Sequence, residues 1–187
     1  MTAFFRKKNF FLDKWCQKVF NSGMKSQEVS GKKVEEVRVP AKIGSLLGSY
    51  PHRLDPKRRM TIPSVFRARM GMPDIVYVMP SLTEKKCLEV FHPEAFEMRL
   101  EELNKAALTD EAASEFVTLI GRVSETLDID VQGRIRISDN LLAHIGVDRD
   151  VVIVGAVNRL QIWAAGNEPS MSEAFTRLSA TARAIKF

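Results

Sequence analysis

Three cations in a row, Lys57, Arg58 and Arg59, follow Asp55 and Pro56 in the stretch LDPKRR, with Arg53 just before them and Arg67 and Arg69 just after. Over residues 50–69 these six bases face a single acid, Asp55, a local charge of +5. Ammonium and guanidinium groups at this density suit phosphate, and an arginine on a narrow turn can also pair in a bidentate way with guanine in the major groove. A run of Lys and Arg is more commonly a solvated surface, so the reading depends on a scaffold that presents these residues.

Other chemistries find less support. His52, His92 and His144 are scattered, and neither a Gly-x-Ser-x-Gly nor a phosphate-loop pattern occurs. Cys16 and Cys87 lie far apart with no Cys or His at two-to-four-residue spacing, which argues against a disulfide framework and a structural zinc site and suits a reducing cytoplasm. Asp128 and Asp130 form a close carboxylate pair beside a turn, where ordinary turn chemistry explains them. No metal, cofactor or catalytic residue is expected. No apolar run approaches the roughly 20 residues of a membrane span.

The elements that must position the bases come from an internal repeat. GSYPHRLDPKRRMTIPSVFRARMGM and VSETLDIDVQGRIRISDNLLAHIGV match at an offset of 75, which sets Asp55 on Asp130, Arg59 on Arg134, Met60 on Ile135 and Ile62 on Ile137. Each copy reads as a short strand, a tight turn (DPKR or DVQG) and a second strand of alternating apolar residues, the pattern of a hairpin. Pro63 suits the first turn of a following helix, and Ser138 with Asp139 caps the matching one. Two apolar strands then close each copy, Ile75–Met79 and Leu88–Phe91 in the first, Val151–Val154 and Leu160–Trp163 in the second. One copy alone has too little area to bury a core, so the two are expected to interdigitate into one barrel-like body.

Two helices are predicted between the copies. His92, Pro93 and Glu94 open one that carries Phe96, Leu100, Leu103 and Ala107; Asp110 opens the other, with Ala113, Phe116, Val117 and Ile120 on one face. A third helix follows the second copy, begun by the capping box of Ser170 and Glu173 and striped with Phe175, Leu178, Ala182 and Ile185. The organisation expected is a basic extension over 1–45, a first repeat over 46–92, connecting helices over 93–122, a second repeat over 123–166 and a C-terminal helix over 169–187. Such stripes are core or subunit contacts.

Charge separates these parts. The chain carries +5 overall, but residues 1–47 hold ten Lys/Arg against four Asp/Glu, so the remainder is nearly neutral. Within it the copies diverge: residues 124–144, matching the basic stretch, hold Arg134 and Arg136 against Glu125, Asp128, Asp130 and Asp139, a charge of −2. The first copy therefore reads as a head for nucleic acid and the second as its structural partner. In the extension, a helix would gather Phe4, Phe5, Phe11, Leu12, Trp15, Cys16, Val19 and Phe20 opposite Arg6, Lys7, Lys14 and Lys18, the pattern of a helix on an anionic membrane surface or a partner. The alternatives are a disordered basic tail, or a start codon placed too far upstream with Met24 as the first residue.

LDPKRRMTIP resembles the LDxKGRxxxP signature of the MraZ family of transcriptional regulators, and LDIDVQGRIRIS resembles its degenerate second copy. The order of hairpin, PEAFE helix, a helix ending in LIGR, second hairpin and VNRLQIW strand is similar to that family over about residues 46–178. The resemblance implies a mixed α/β chain with a duplicated swapped-hairpin β-barrel of the AbrB type and a ring-like homo-oligomer in the cytoplasm, associated with the nucleoid. It further implies binding to short direct repeats in double-stranded DNA upstream of the cell-division and cell-wall gene cluster. On this reading Lys57, Arg58 and Arg59 meet the DNA, Arg53 holds phosphate, and Asp55, Asp130, Gly133 and Arg134 shape the turns. Arg58 stands where the family has glycine and Ser138 where it has proline; Arg58 is therefore expected at positive φ. The rival readings are an interaction scaffold that has lost DNA binding and a Mg²⁺-dependent hydrolase on a small barrel, the latter needing carboxylates from both copies where the first offers only Asp55.

Overall fold

The structure, a computed structural model, describes residues 44–83 and 85–185, the last three without their side chains. The expected amphipathic helix of the extension lies outside the described residues.

The first copy begins with β1 (Ser49–Arg53) and turns through Pro56, Lys57 and Arg58 into β2 (Arg59–Thr61). The Asp55 N–H donates to the Arg59 carbonyl at 2.9 Å and the Arg58 N–H to the Asp55 carbonyl at 2.9 Å. α1 (Ser64–Arg69) starts directly after Pro63, whose φ of −50° already suits helix entry. β3 (Ile75–Pro80) and β4 (Cys87–Phe91) complete the copy. The connecting helices are α2 (Pro93–Ala107), with proline in its first turn, and α3 (Glu111–Val123), whose Asp110 carboxylate accepts the amides of Ala112 and Ala113. The second copy repeats the plan as β5 (Glu125–Asp128), β6 (Arg134–Arg136), α4 (Asp139–Ile145), β7 (Asp150–Gly155) and β8 (Leu160–Ala164). Ser138 caps α4 through the Leu141 amide, and Gly146, left-handed at φ 70°, ends it. α5 (Met171–Ile185) follows, its Ser170 and Glu173 bonded reciprocally as a capping box.

The strands that flank the two turns do not pair with each other. β1 pairs antiparallel with β7 (Tyr50 opposite Ile153), β5 with β3 (Val76 opposite Leu127), β4 with β8, and β2 with β6 (Met60 opposite Ile135). Each copy's first strand is thus completed by the third strand of the other copy, and the arms of each turn enter different sheets. Alternation specifies which face of a strand is buried, not its partner, and here the partner is on the other copy. The pairings make an open six-stranded sheet, β1-β7-β8-β4-β3-β5, and a separate two-stranded ribbon of β2 and β6. These pairings do not close a barrel: among the described residues β1 and β5 remain edges of the larger sheet.

The ribbon and the short helices fill one face of that sheet. Met60 and Ile135 from the ribbon, Phe66 of α1 and Met70 at its end, and Leu141, Leu142 and Ile145 from α4 pack with Val76, Val78, Leu88, Val90, Val151, Ile153, Leu160 and Ile162 in one core. Tyr50 meets Phe66 edge-on, 5.1 Å between centroids. The alternate residues of β3 and β4 carry α2: Phe96 stacks on Tyr77 at 4.6 Å and leans on Phe91, over which Arg99 lies at 4.8 Å. By contrast, every residue from Met171 to Ala180 of α5 is exposed, including Phe175 and Leu178 of its apolar stripe.

Candidate nucleic-acid interface

Both turns use the same internal clamp. The Asp55 carboxylate accepts the amides of Lys57 (2.8 Å) and Arg59 (2.9 Å) with Oδ1, and Arg59 Nε with Oδ2 at 2.7 Å. Asp130 repeats this with the amides of Gln132 and Arg134 (2.9 Å each) and Arg134 Nε at 2.7 Å. A short polar side chain that satisfies two turn amides fixes the turn, and its pairing with the arginine four residues on fixes the exit. The donated backbone amides of Arg59 and Arg134, joined by their guanidinium groups, hold both carboxyls below the ordinary aspartate range.

The third turn residue is left-handed in both copies, Arg58 at φ 59° and Gly133 at φ 77°. An arginine does not adopt this conformation freely, and its side chain is tied to the other copy. Arg58 Nε donates to Asp139 Oδ1 at 3.1 Å, and Nη1 to the Asp148 carbonyl at 2.6 Å, with the Asp148 carboxylate 3.8 Å away. At the matching turn, Gly133 is buried under the Arg67 guanidinium, which a Cβ would overlap. Two further bonds tie these turns across the copies: Ile137 N–H to the Arg58 carbonyl (3.1 Å) and Ile62 N–H to the Gly133 carbonyl (2.9 Å).

The two tips differ in what they present. Pro56, Lys57, Arg58 and Arg59, joined by Arg136 and Asp139 of the second copy, line an open depression of about 570 Å³. At the other tip the positions matching Pro56 and Lys57 are a fully exposed Val131 and Gln132. Of the bases named from the sequence, Lys57 is exposed and has no ion-pair partner among the described residues, Arg58 and Arg59 are held as above, and Arg53 at the end of β1 faces its register partner Asp150, Nε to Oδ1 3.3 Å. Arg136 is the addition that sequence reasoning did not assign to the basic tip. Its signal is the register of the ribbon, which sets it opposite Arg59, and that register becomes visible only once β2 is paired with β6.

Among the described residues no group of three or more His, Cys, Asp or Glu side chains is arranged to hold a metal ion. Asp128 lies on β5 and Asp130 in the turn beyond it, its carboxylate occupied by the clamp.

Comparison with known proteins is consistent with this duplicated plan. The profile of the family described as "MraZ protein, putative antitoxin-like" matches twice, over residues 46–119 and 123–184. Similar curated proteins include the transcriptional regulator MraZ of Alkaliphilus metalliredigens, 32% identical over 64% of this chain and 80% of its own. That of Clostridium tetani is 33% identical over 63% of this chain and 80% of its own, and that of Symbiobacterium thermophilum 33% identical over 68% and 89%. With two matched segments that together span most of its length, this chain belongs to the MraZ family, a family of transcriptional regulators and not of enzymes.

Proposed function

We propose that this chain regulates transcription by binding double-stranded promoter DNA, with the turn between β1 and β2 as its reading head. The observation that carries the reading is the asymmetry of the two tips: one depression lined by Lys57, Arg58, Arg59 and Arg136, against a tip of Val131 and Gln132. A tip of this kind attracts phosphate and fits the major groove, where arginine recognises guanine. Lys57 supplies free charge; Arg53 reaches phosphate by exchanging the exposed Asp150 carboxylate, an exchange made easy because exposed ion pairs contribute only about 0–1 kcal/mol, while Arg58 and Arg59 line the tip with their own carboxylate partners retained.

The exchanged strand pairing supports reading the two copies as swapped hairpins of one fold. The chain assembles as a homo-oligomer, for which the uncovered stripe of α5 and the edges β1 and β5 are the candidate contacts. One basic head per subunit, repeated by rotation, presents heads in the same sense, so the operator is a set of direct repeats about one helical turn of roughly 10 base pairs apart, upstream of cell-division and cell-wall genes. Footprinting on the chain's own upstream DNA, followed by inversion of a single repeat, tests this: the inverted site is expected to lose protection. Equal protection of the inverted site would show that the second tip also reads DNA, and no salt-dependent binding at all would favour a scaffold.

A further inference from the structure

We propose that the reading head is composite: a DNA phosphate is seated between Lys57 of the first copy and Arg136 of the second, across the seam of the β2–β6 ribbon. This inference rests on the DNA-binding reading above and names the groups that hold the phosphodiester. Four cations line the depression, and they are not equivalent. Arg59 is engaged by Asp55 at 2.7 Å, and Arg58 by Asp139 at 3.1 Å and by the Asp148 carbonyl at 2.6 Å. Lys57 and Arg136 are both exposed and have no carboxylate partner among the described residues.

An entering anion finds least competition where a cation has no internal counter-ion, and most repulsion beside Asp139. It is therefore directed to the Lys57 and Arg136 groups and away from the Arg58 side of the depression. The pairing of Arg59 with Arg136 on adjacent strands holds the second cation at a fixed register from the first turn. Arg58 then acts as a positioning residue, tying the tip to α4 and the loop after it so that Lys57 and Arg136 share one opening. The second copy, acidic as a whole, contributes one essential cation to the head of the first.

The test is the salt dependence of binding, read by fluorescence anisotropy on a duplex carrying the upstream repeats and on one of unrelated sequence. Each lost phosphate contact makes the log–log slope shallower by about 0.9, so a variant's deficit relative to wild type shrinks about 3.5-fold between 50 and 200 mM salt. Lys57→Ala and Arg136→Ala are each expected to show this change on both duplexes. Arg58→Gly is expected to weaken binding with the slope unchanged. A slope for Arg136→Ala equal to wild type, with Lys57→Ala shallower, overturns the composite seat and leaves the DNA reading standing; wild-type protein that binds neither duplex overturns the DNA reading itself. Circular dichroism melts of each variant exclude unfolding as the cause, and Arg136→Lys, which keeps the charge, is expected to restore the slope.

Discussion

At the scale of single residues, the same aspartate does the same work twice. Asp55 and Asp130 each accept two turn amides and one guanidinium, and each has its carboxyl lowered from the ordinary 3.8, first by the backbone bond from the arginine four residues on. A carboxyl lowered in the folded state contributes stability that is present above its unfolded value and lost as pH falls through the folded one. Acidification below about pH 4 should therefore loosen both turns. In a series of thermal melts, Asp55→Asn/Asp130→Asn is expected to melt lower than wild type at neutral pH and to lose less on acidification, because the unfolded variant has two fewer carboxylates to protonate. A wild-type and variant difference that stays constant across the series would show that these two groups do not titrate differently on folding.

At the scale of elements, the left-handed turn position shows how one backbone requirement is met by two chemistries. Gly133→Ala places a side chain at φ 77° and displaces the Arg67 guanidinium, whose Nε donates to the Ile62 carbonyl at 3.2 Å. The expected loss is roughly 1–2 kcal/mol of strain and about 1 kcal/mol for the bond. Arg58→Gly removes a similar strain but also the ties to Asp139 and Asp148, so its unfolding free energy from a urea titration should change little, within about 1 kcal/mol. If both substitutions prove equally costly, the two turns are not related as their dihedral angles indicate. Much of this was legible in the sequence: the offset of 75 aligned Arg58 with Gly133, and the expectation of a positive φ at Arg58 is met. Helix starts were also legible, because Asp110, Ser138 and Ser170 act on amides two or three residues away. What was not legible is whatever depends on distant partners: Asp139 and Asp148 lie 81 and 90 residues from Arg58, and no local pattern ties them to it.

At the scale of the whole molecule, the described residues leave one element without cover. α2 and α3 bury Phe96, Leu103 and Ile120, as their stripes predict, whereas Met171, Phe175 and Leu178 of α5 are 70%, 66% and 67% exposed. An apolar stripe on an otherwise solvated helix marks a contact surface. A chain ending at Pro169 is expected to keep its melting temperature to within a few degrees, since α5 buries no residue of its first ten, but to lose mass in multi-angle light scattering relative to the full chain. Unchanged mass would assign assembly to the sheet edges instead. The sequence stripe gave the helix and its apolar side; only the fold reveals that its own core is already complete without it.

The exchanged pairing also sets an order of events during synthesis. β1 has no partner within its own copy: Ser49 waits for Val154 and Arg53 for Asp150, and β2 waits for β6. The basic turn is therefore among the first segments of the described chain to leave the ribosome and among the last to be held in place, because about a hundred residues must follow before its flanking strands find their ladders. Until then its bases are an unstructured cationic segment, and the exposed strands β3 and β4 can form only a local pair. Ordering of the basic turn is thus coupled to completion of the chain, so that a fragment ended by premature termination before residue 134 carries Lys57, Arg58 and Arg59 but neither Arg136 nor the strands β6 and β7 that pair with β2 and β1.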